Sequence, residues 1–72
     1  MNEQNHGTHL IKFKADRMQD GNYWIGKAHV QYNDGRTVRC FEVHGPAERF
    51  ASKEAAEQHV LDLAKTLIDN FI

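Results

Sequence analysis

A chain of 72 residues is long enough for one domain and too short for two. Its single cysteine excludes a disulfide within the chain, and a formal net charge of −1 excludes a global basic field that would attract nucleic acid. The hydrophobic fraction of 40% is typical of a globular domain, and the apolar runs are too short to cross a membrane.

Residues 1–7 are polar and lack the apolar core of a secretory signal, so they are predicted to form a flexible N-terminal tail. With a single cysteine, this start leads us to expect a cytoplasmic protein in a reducing compartment. A first strand is predicted over residues 8–16, where Ile11, Phe13 and Ala15 alternate with Leu10, Lys12 and Lys14. A second strand is predicted over residues 22–32, with Tyr23, Ile25 and His29 on one face and Trp24, Gly26, Ala28 and Val30 on the other.

The sequence Asn33-Asp34-Gly35-Arg36 is the strongest turn signal in the chain. Asp-Gly between strand residues predicts a two-residue type I′ hairpin, in which both loop residues have positive φ. This turn would place His29 opposite Cys40 and Ala28 opposite Phe41 in the third strand. Gly45-Pro46 is predicted to end that strand, because proline cannot donate to the ladder.

A helix is predicted to begin after Ser52, a favourable N-cap residue. Apolar residues then recur at helical spacing and form one stripe. The stripe comprises Ala56, Val60, Leu63, Ala64, Leu67, Ile68 and Phe71. The predicted fold is therefore α+β, with a three-stranded antiparallel sheet packed on one C-terminal helix (β-β-β-α) in a single domain of residues 8–72.

One helix can cover only one face of this sheet, and the second face carries considerable apolar content. The predicted interface residues on it are Leu10, Tyr23, Ile25, Val38 and Cys40. A small core gains stability from a second subunit, so a homodimer or another protein partner is expected. The alternative is an ordinary half-apolar surface on a monomer.

Basic residues suggest a second function, binding of nucleic acid. The candidates are Lys12, Lys14, Lys27, Arg36, Arg39 and Lys53. Tyrosines between them could stack on bases. A solvated strand surface explains the same residues, and the near-zero net charge favours that explanation.

The predicted register brings His29, Cys40 and His44 together on the second face, where they could hold a metal ion or act as a Cys-His nucleophile. No metal-ligand spacing such as C-x-x-C is present. The carboxylates also form no pair suited to acid–base work. We therefore predict no metal site, no cofactor and no enzymatic activity.

The run Ser52-Lys53-Glu54-Ala55-Ala56-Glu57-Gln58 resembles the passage into the last helix of double-stranded-RNA-binding domains. In that family a Ser-Lys-Lys run binds phosphates; Ser52 and Lys53 match it, and Glu54 replaces the second lysine. The phrase from Phe50 to Ala55, after a strand hairpin, resembles HicB-like antitoxins. The whole chain is most similar to small bacterial β-β-β-α proteins without an assigned function.

These patterns together predict a non-enzymatic binding domain that self-associates through its sheet. A nucleic-acid-binding module, similar to a double-stranded-RNA-binding domain or an antitoxin, is the alternative.

Overall fold

A computed structural model describes residues 2–19, 21–44 and 49–71. Its elements are β1 (Asn2–His6), β2 (His9–Arg17), β3 (Trp24–Asn33), β4 (Val38–His44) and α1 (Lys53–Phe71). The four strands form one antiparallel sheet in the order β1-β2-β3-β4. The α+β class, the antiparallel sheet and the single C-terminal helix are confirmed. Gly45 and Pro46, predicted to end the third strand, lie outside the described residues.

The prediction of three strands is wrong by one, because β1 occupies residues expected in the flexible tail. Its sequence, NEQNH, has no apolar alternation, so the periodicity that identifies a half-buried strand is missing. The strand pairs with β2 through its backbone, and a two-residue loop with Gly7 at φ 63° joins the two strands. Asn2 donates to Glu57 of α1 at 2.7 Å, and the ring of His6 lies 2.8 Å from Asp69. These contacts attach the polar strand to the helix.

The core lies between α1 and the face of the sheet that α1 covers. The sheet contributes Ile11, Phe13, Ala28, Val30 and Val43, and the helix contributes Val60, Leu61, Ala64 and Ile68. Most of the predicted stripe is therefore confirmed as buried, whereas Leu63 and Leu67 are only partly buried. Leu61, which the stripe omitted, is buried as well. The side chain of Phe71 lies outside the described residues.

The predicted two-residue hairpin is wrong. Asn33 pairs with Val38, so the loop has four residues and the register of β3 against β4 differs by two positions from the prediction. Within this loop only Gly35 has a positive φ, at 97°, whereas a type I′ turn also requires one at Asp34. The longer loop leaves the Asp34 carboxylate free to accept hydrogen bonds from the N–H groups of Arg36 and Thr37, both at 3.0 Å.

These bonds, first from Thr37 and then from Arg36, lower the pKa of Asp34 below its ordinary value of 3.8. The guanidinium of Arg39 also donates to this carboxylate and acts in the same direction. A shift of two positions keeps every side chain on its predicted face, because the side-chain period of a strand is two residues.

The helix begins as predicted. Ser52 Oγ accepts a hydrogen bond from the N–H of Ala55 at 3.1 Å, which satisfies one of the free donors of the first turn. Before it, Phe50 forms an isolated antiparallel bridge with Trp24, so the chain enters α1 along the edge of the sheet next to β3.

Candidate functional site

The face of the sheet opposite α1, called here the open face, is uncovered within the described residues. Strand alternation and the observed register define its members on β2, β3 and β4. They are Leu10, Lys12, Lys14, Asp16, Ile25, Lys27, His29, Gln31, Val38, Cys40, Glu42 and His44. Polar and charged side chains therefore dominate this face.

The five predicted interface residues do not form one patch. Leu10 pairs with Gln31 near one end of the sheet, and Ile25 pairs with Asp16 near the other; both are half-buried among their neighbours. Tyr23 lies before β3 begins, and its ring packs under the guanidinium of Arg49 at 4.7 Å. It is therefore not a sheet residue, contrary to the predicted strand boundary.

Val38 and Cys40 lie together on β4, and both are exposed. Among the described residues, Val38 is the only large hydrophobic side chain that is exposed, with 68% of its surface accessible. The exposed apolar side chains of the open face thus lie at one edge of the sheet.

The two edge strands differ strongly in character. All five side chains of β1 are polar, and two of them bind the helix. The seven residues of β4 contain Val38, Cys40, Phe41 and Val43 and neither a lysine nor a proline. Charged side chains, prolines and bulges are the usual means of protecting a sheet edge from pairing with another chain. On β4 the charged side chains are Arg39, which binds Asp34 of its own hairpin, and Glu42, which lies 3.4 Å from His44 of the same strand.

The helix side of β4 is also incompletely covered. Phe41 packs on the core but is only partly buried, as are Leu63 and Leu67 of α1. Sequence reasoning placed Phe41 within the core and did not identify it as a surface residue. The sequence did contain a signal for the partial exposure of Phe41, because β4 is the last strand of a sheet in sequential order and a single helix covers the central strands first.

The hydrogen-bond pattern assigns the free backbone groups of β4. The N–H of Asp34 donates to the carbonyl of Thr37 at 3.2 Å, and Trp24 and Phe50 exchange two bonds at the other end. In an antiparallel pair, hydrogen-bonded and non-hydrogen-bonded residue pairs alternate. Both observations place the even residues of β3 in hydrogen-bonded pairs, so the N–H groups of Val38, Cys40 and Glu42 point away from the sheet.

The structure brings together only half of the predicted nucleic-acid residues. Lys12, Lys14 and Lys27 are neighbours on the open face. Each has a carboxylate partner: Lys12 lies 3.9 Å from Glu3, and Lys14 and Lys27 lie 3.6 and 3.7 Å from the two oxygens of Asp16.

The remaining cations lie elsewhere. Arg36 lies in the loop between β3 and β4, Arg39 is the second residue of β4, and Lys53 is the first residue of α1. Because the Trp24 end of β3 contacts Phe50 just before the helix, Lys53 and Arg36 are at opposite ends of a molecule about 43 Å long. The six predicted nucleic-acid residues therefore do not form one patch.

The predicted cross-strand pairing of His29 with Cys40 is wrong, because the register places His29 opposite Glu42 and Cys40 opposite Gln31. The two residues are diagonal neighbours on the open face. Across residues 2–19, 21–44 and 49–71, no three His, Cys, Asp or Glu side chains are close enough to hold a metal ion. His44 instead lies 3.4 Å from Glu42 on its own strand.

Comparison with known proteins returns no protein family, curated protein or solved structure that matches this chain. In the part of the chain that the structure describes, no helix combines the length and apolarity needed to cross a bilayer.

Proposed function

We propose that this chain is a non-enzymatic binding domain that self-associates by pairing β4 with β4 of a second copy. The observation that carries the proposal is the contrast between the edges: β1 is polar, whereas β4 exposes Val38 and Cys40 on a strand without lysine or proline. Such an edge is a template for strand addition. The symmetric way to occupy it is a twofold dimer, in which the same patch is used by both copies.

A twofold axis through Phe41 pairs all seven residues of β4 with their counterparts. It places Cys40 opposite Glu42 and Val38 opposite His44 of the second copy, and these are the residues whose N–H groups point outward. The dimer would have one continuous sheet of eight strands. The partly buried rings of Phe41 would meet at the axis on the helix side, next to Leu63 and Leu67.

Binding rather than catalysis is supported by the composition of the surface. Lys12, Lys14, Lys27 and His44 of the open face each lie within 4 Å of a carboxylate. Catalytic sites usually have the reverse arrangement, with unpaired or strongly perturbed groups in a cleft.

The test is the molar mass of the full chain by sedimentation over a dilution series, from micromolar to millimolar. We expect a reversible rise from 8.3 kDa to twice that mass. Val38→Lys should abolish the rise, because charge at a sheet edge opposes pairing. Val38→Thr is the matched control, since threonine keeps the β-branched shape without charge, and it should still associate. A wild-type monomer over the whole range would refute the proposal.

A second variant separates the edge from the open face. Ile25→Glu adds charge to the open face but not to β4, so association through the edge should persist. If Ile25→Glu yields a folded monomer while Val38→Lys still associates, the copies meet through the open face and the edge model is wrong.

A further inference from the structure

The centre of the open face contains a concavity of about 240 Å³. It is lined by Lys12, Lys14, Lys27, His29, Glu42 and His44. The register explains this grouping: Lys12, His29 and Glu42 form one row across β2, β3 and β4, and Lys14, Lys27 and His44 form the next. Side chains of two adjacent rows on one face point in the same direction.

Lys14 and Lys27 lie directly opposite each other on neighbouring strands. Like charges in this position destabilise a sheet. One carboxylate, that of Asp16, contacts both ammonium groups, at 3.6 and 3.7 Å. The two lysines therefore share a single negative charge and retain an excess positive charge, which a bound anion would neutralise.

We propose that this concavity binds a compact phosphate-type anion, held by Lys14 and Lys27 with Lys12 completing the site. Lysine binds phosphate groups as a point charge and needs no fixed fork geometry. His29 of β3 and His44 of β4 also line the concavity, and their rings can donate hydrogen bonds to an anion. Its volume lies below the roughly 300–1,000 Å³ of sites for drug-sized ligands, which fits a small anion.

The surrounding carboxylates select against a long polyanion. Glu3 contacts Lys12, Asp16 contacts the lysine pair, and Glu42 lines the concavity beside His44. A nucleic-acid strand that crossed the sheet would pass these groups, whereas one phosphate or pyrophosphate ion can lie among the ammonium groups. The inferred ligand is therefore a free phosphate or diphosphate ion.

The experiment is titration of the full chain with inorganic pyrophosphate, followed by amide chemical shifts at constant ionic strength and at a protein concentration where it is monomeric. We expect saturable shifts around residues 12–16, 27–29 and 42–44. Lys14→Gln and Lys27→Gln should each weaken binding by roughly tenfold, since a hydrogen bond to a charged group contributes about that much.

Lys53→Gln is the matched control, because it removes the same charge at the start of α1, away from the concavity. It should change the affinity by less than about twofold, since exposed charges beyond about 10 Å are largely screened at 0.1 M salt. The absence of saturable binding would overturn the proposal, as would equal losses in Lys53→Gln and Lys27→Gln.

Melting temperatures and a titration with an oligonucleotide extend the test. Without anion, Lys27→Gln should have a melting temperature at least as high as the wild type, because repulsion from Lys14 is removed. With pyrophosphate, the melting temperature of the wild type should rise more than that of the variant. A single-stranded oligonucleotide at equal phosphate concentration tests the other source of phosphate groups. If the oligonucleotide binds and pyrophosphate does not, the site is not one for a compact anion.

Discussion

Gly26 of β3 lies against Val60 of α1 so closely that a Cβ on Gly26 would be 2.7 Å from the Cβ of Val60. The same Cβ would lie 2.6 Å from the backbone carbonyl oxygen of Ala56. A backbone atom cannot rotate away as a flexible side chain can. The missing side chain at residue 26 therefore sets how closely the helix approaches the sheet.

Gly26→Ala tests this contact, because the contact decides whether the substitution raises or lowers the free energy of unfolding. In a strand without such a contact, replacing glycine by alanine stabilises by about 0.4–1 kcal/mol through the unfolded state. Here we expect a loss of about 1–3 kcal/mol in the free energy of unfolding, because the helix must shift to accommodate the methyl group. Urea unfolding followed by circular dichroism measures the change. A stabilised variant would mean that the helix is not tightly packed on β3.

Asp34 predicts how the hairpin responds to acid. Its pKa is lowered in the folded state by the N–H groups of Thr37 and Arg36, so its contribution to stability is fully present above the ordinary value of 3.8. That contribution is lost as the pH falls through the lowered pKa. Asp34→Asn keeps one acceptor oxygen but cannot titrate, so its stability should depend less on pH below about 4 than that of the wild type. Parallel acid-dependence of both proteins would contradict the assigned role.

Nucleic-acid binding is tested by comparing two triple variants with equal charge changes. One replaces Lys12, Lys14 and Lys27 by glutamine, and the other replaces Arg36, Arg39 and Lys53. At near-physiological salt we expect no complex between the wild-type chain and DNA or RNA in fluorescence anisotropy, because the open-face lysines already contact carboxylates. A complex that weakens with salt and is lost in both variants would favour the nucleic-acid-binding module.

The sequence predicted which face of the sheet each side chain occupies more accurately than it predicted which residues pair across the strands. Alternation placed Ile11, Phe13, Ala28 and Val43 on the helix side, and all four are buried there. The register of β4 was two residues off because an Asp-Gly pair also suits a loop in which the aspartate side chain binds the backbone. The two-residue and the four-residue loop place the same side chains of β4 on the same face of the sheet, so the alternation of apolar residues could not distinguish the two loops.

The missed strand β1 has a separate physical origin. A polar edge strand such as β1 is held by backbone pairing and a few polar contacts, and neither leaves a hydrophobic pattern in the sequence. Without β1, the predicted sheet has β2 at one of its edges. With β1 in place, β4 is the apolar edge, and Val38 and Cys40 belong to it rather than to a patch with Leu10 and Ile25.

Pairing of β4 with a second copy is tested most directly by amide hydrogen exchange of the wild-type chain at low and high protein concentration. The outward N–H groups of Val38, Cys40 and Glu42 should exchange fast when dilute and become protected when concentrated, because they then donate across the dimer. The amides of β1 serve as the internal control and should exchange at the same rate in both samples. Exchange of the three β4 amides that does not depend on concentration would contradict the proposal.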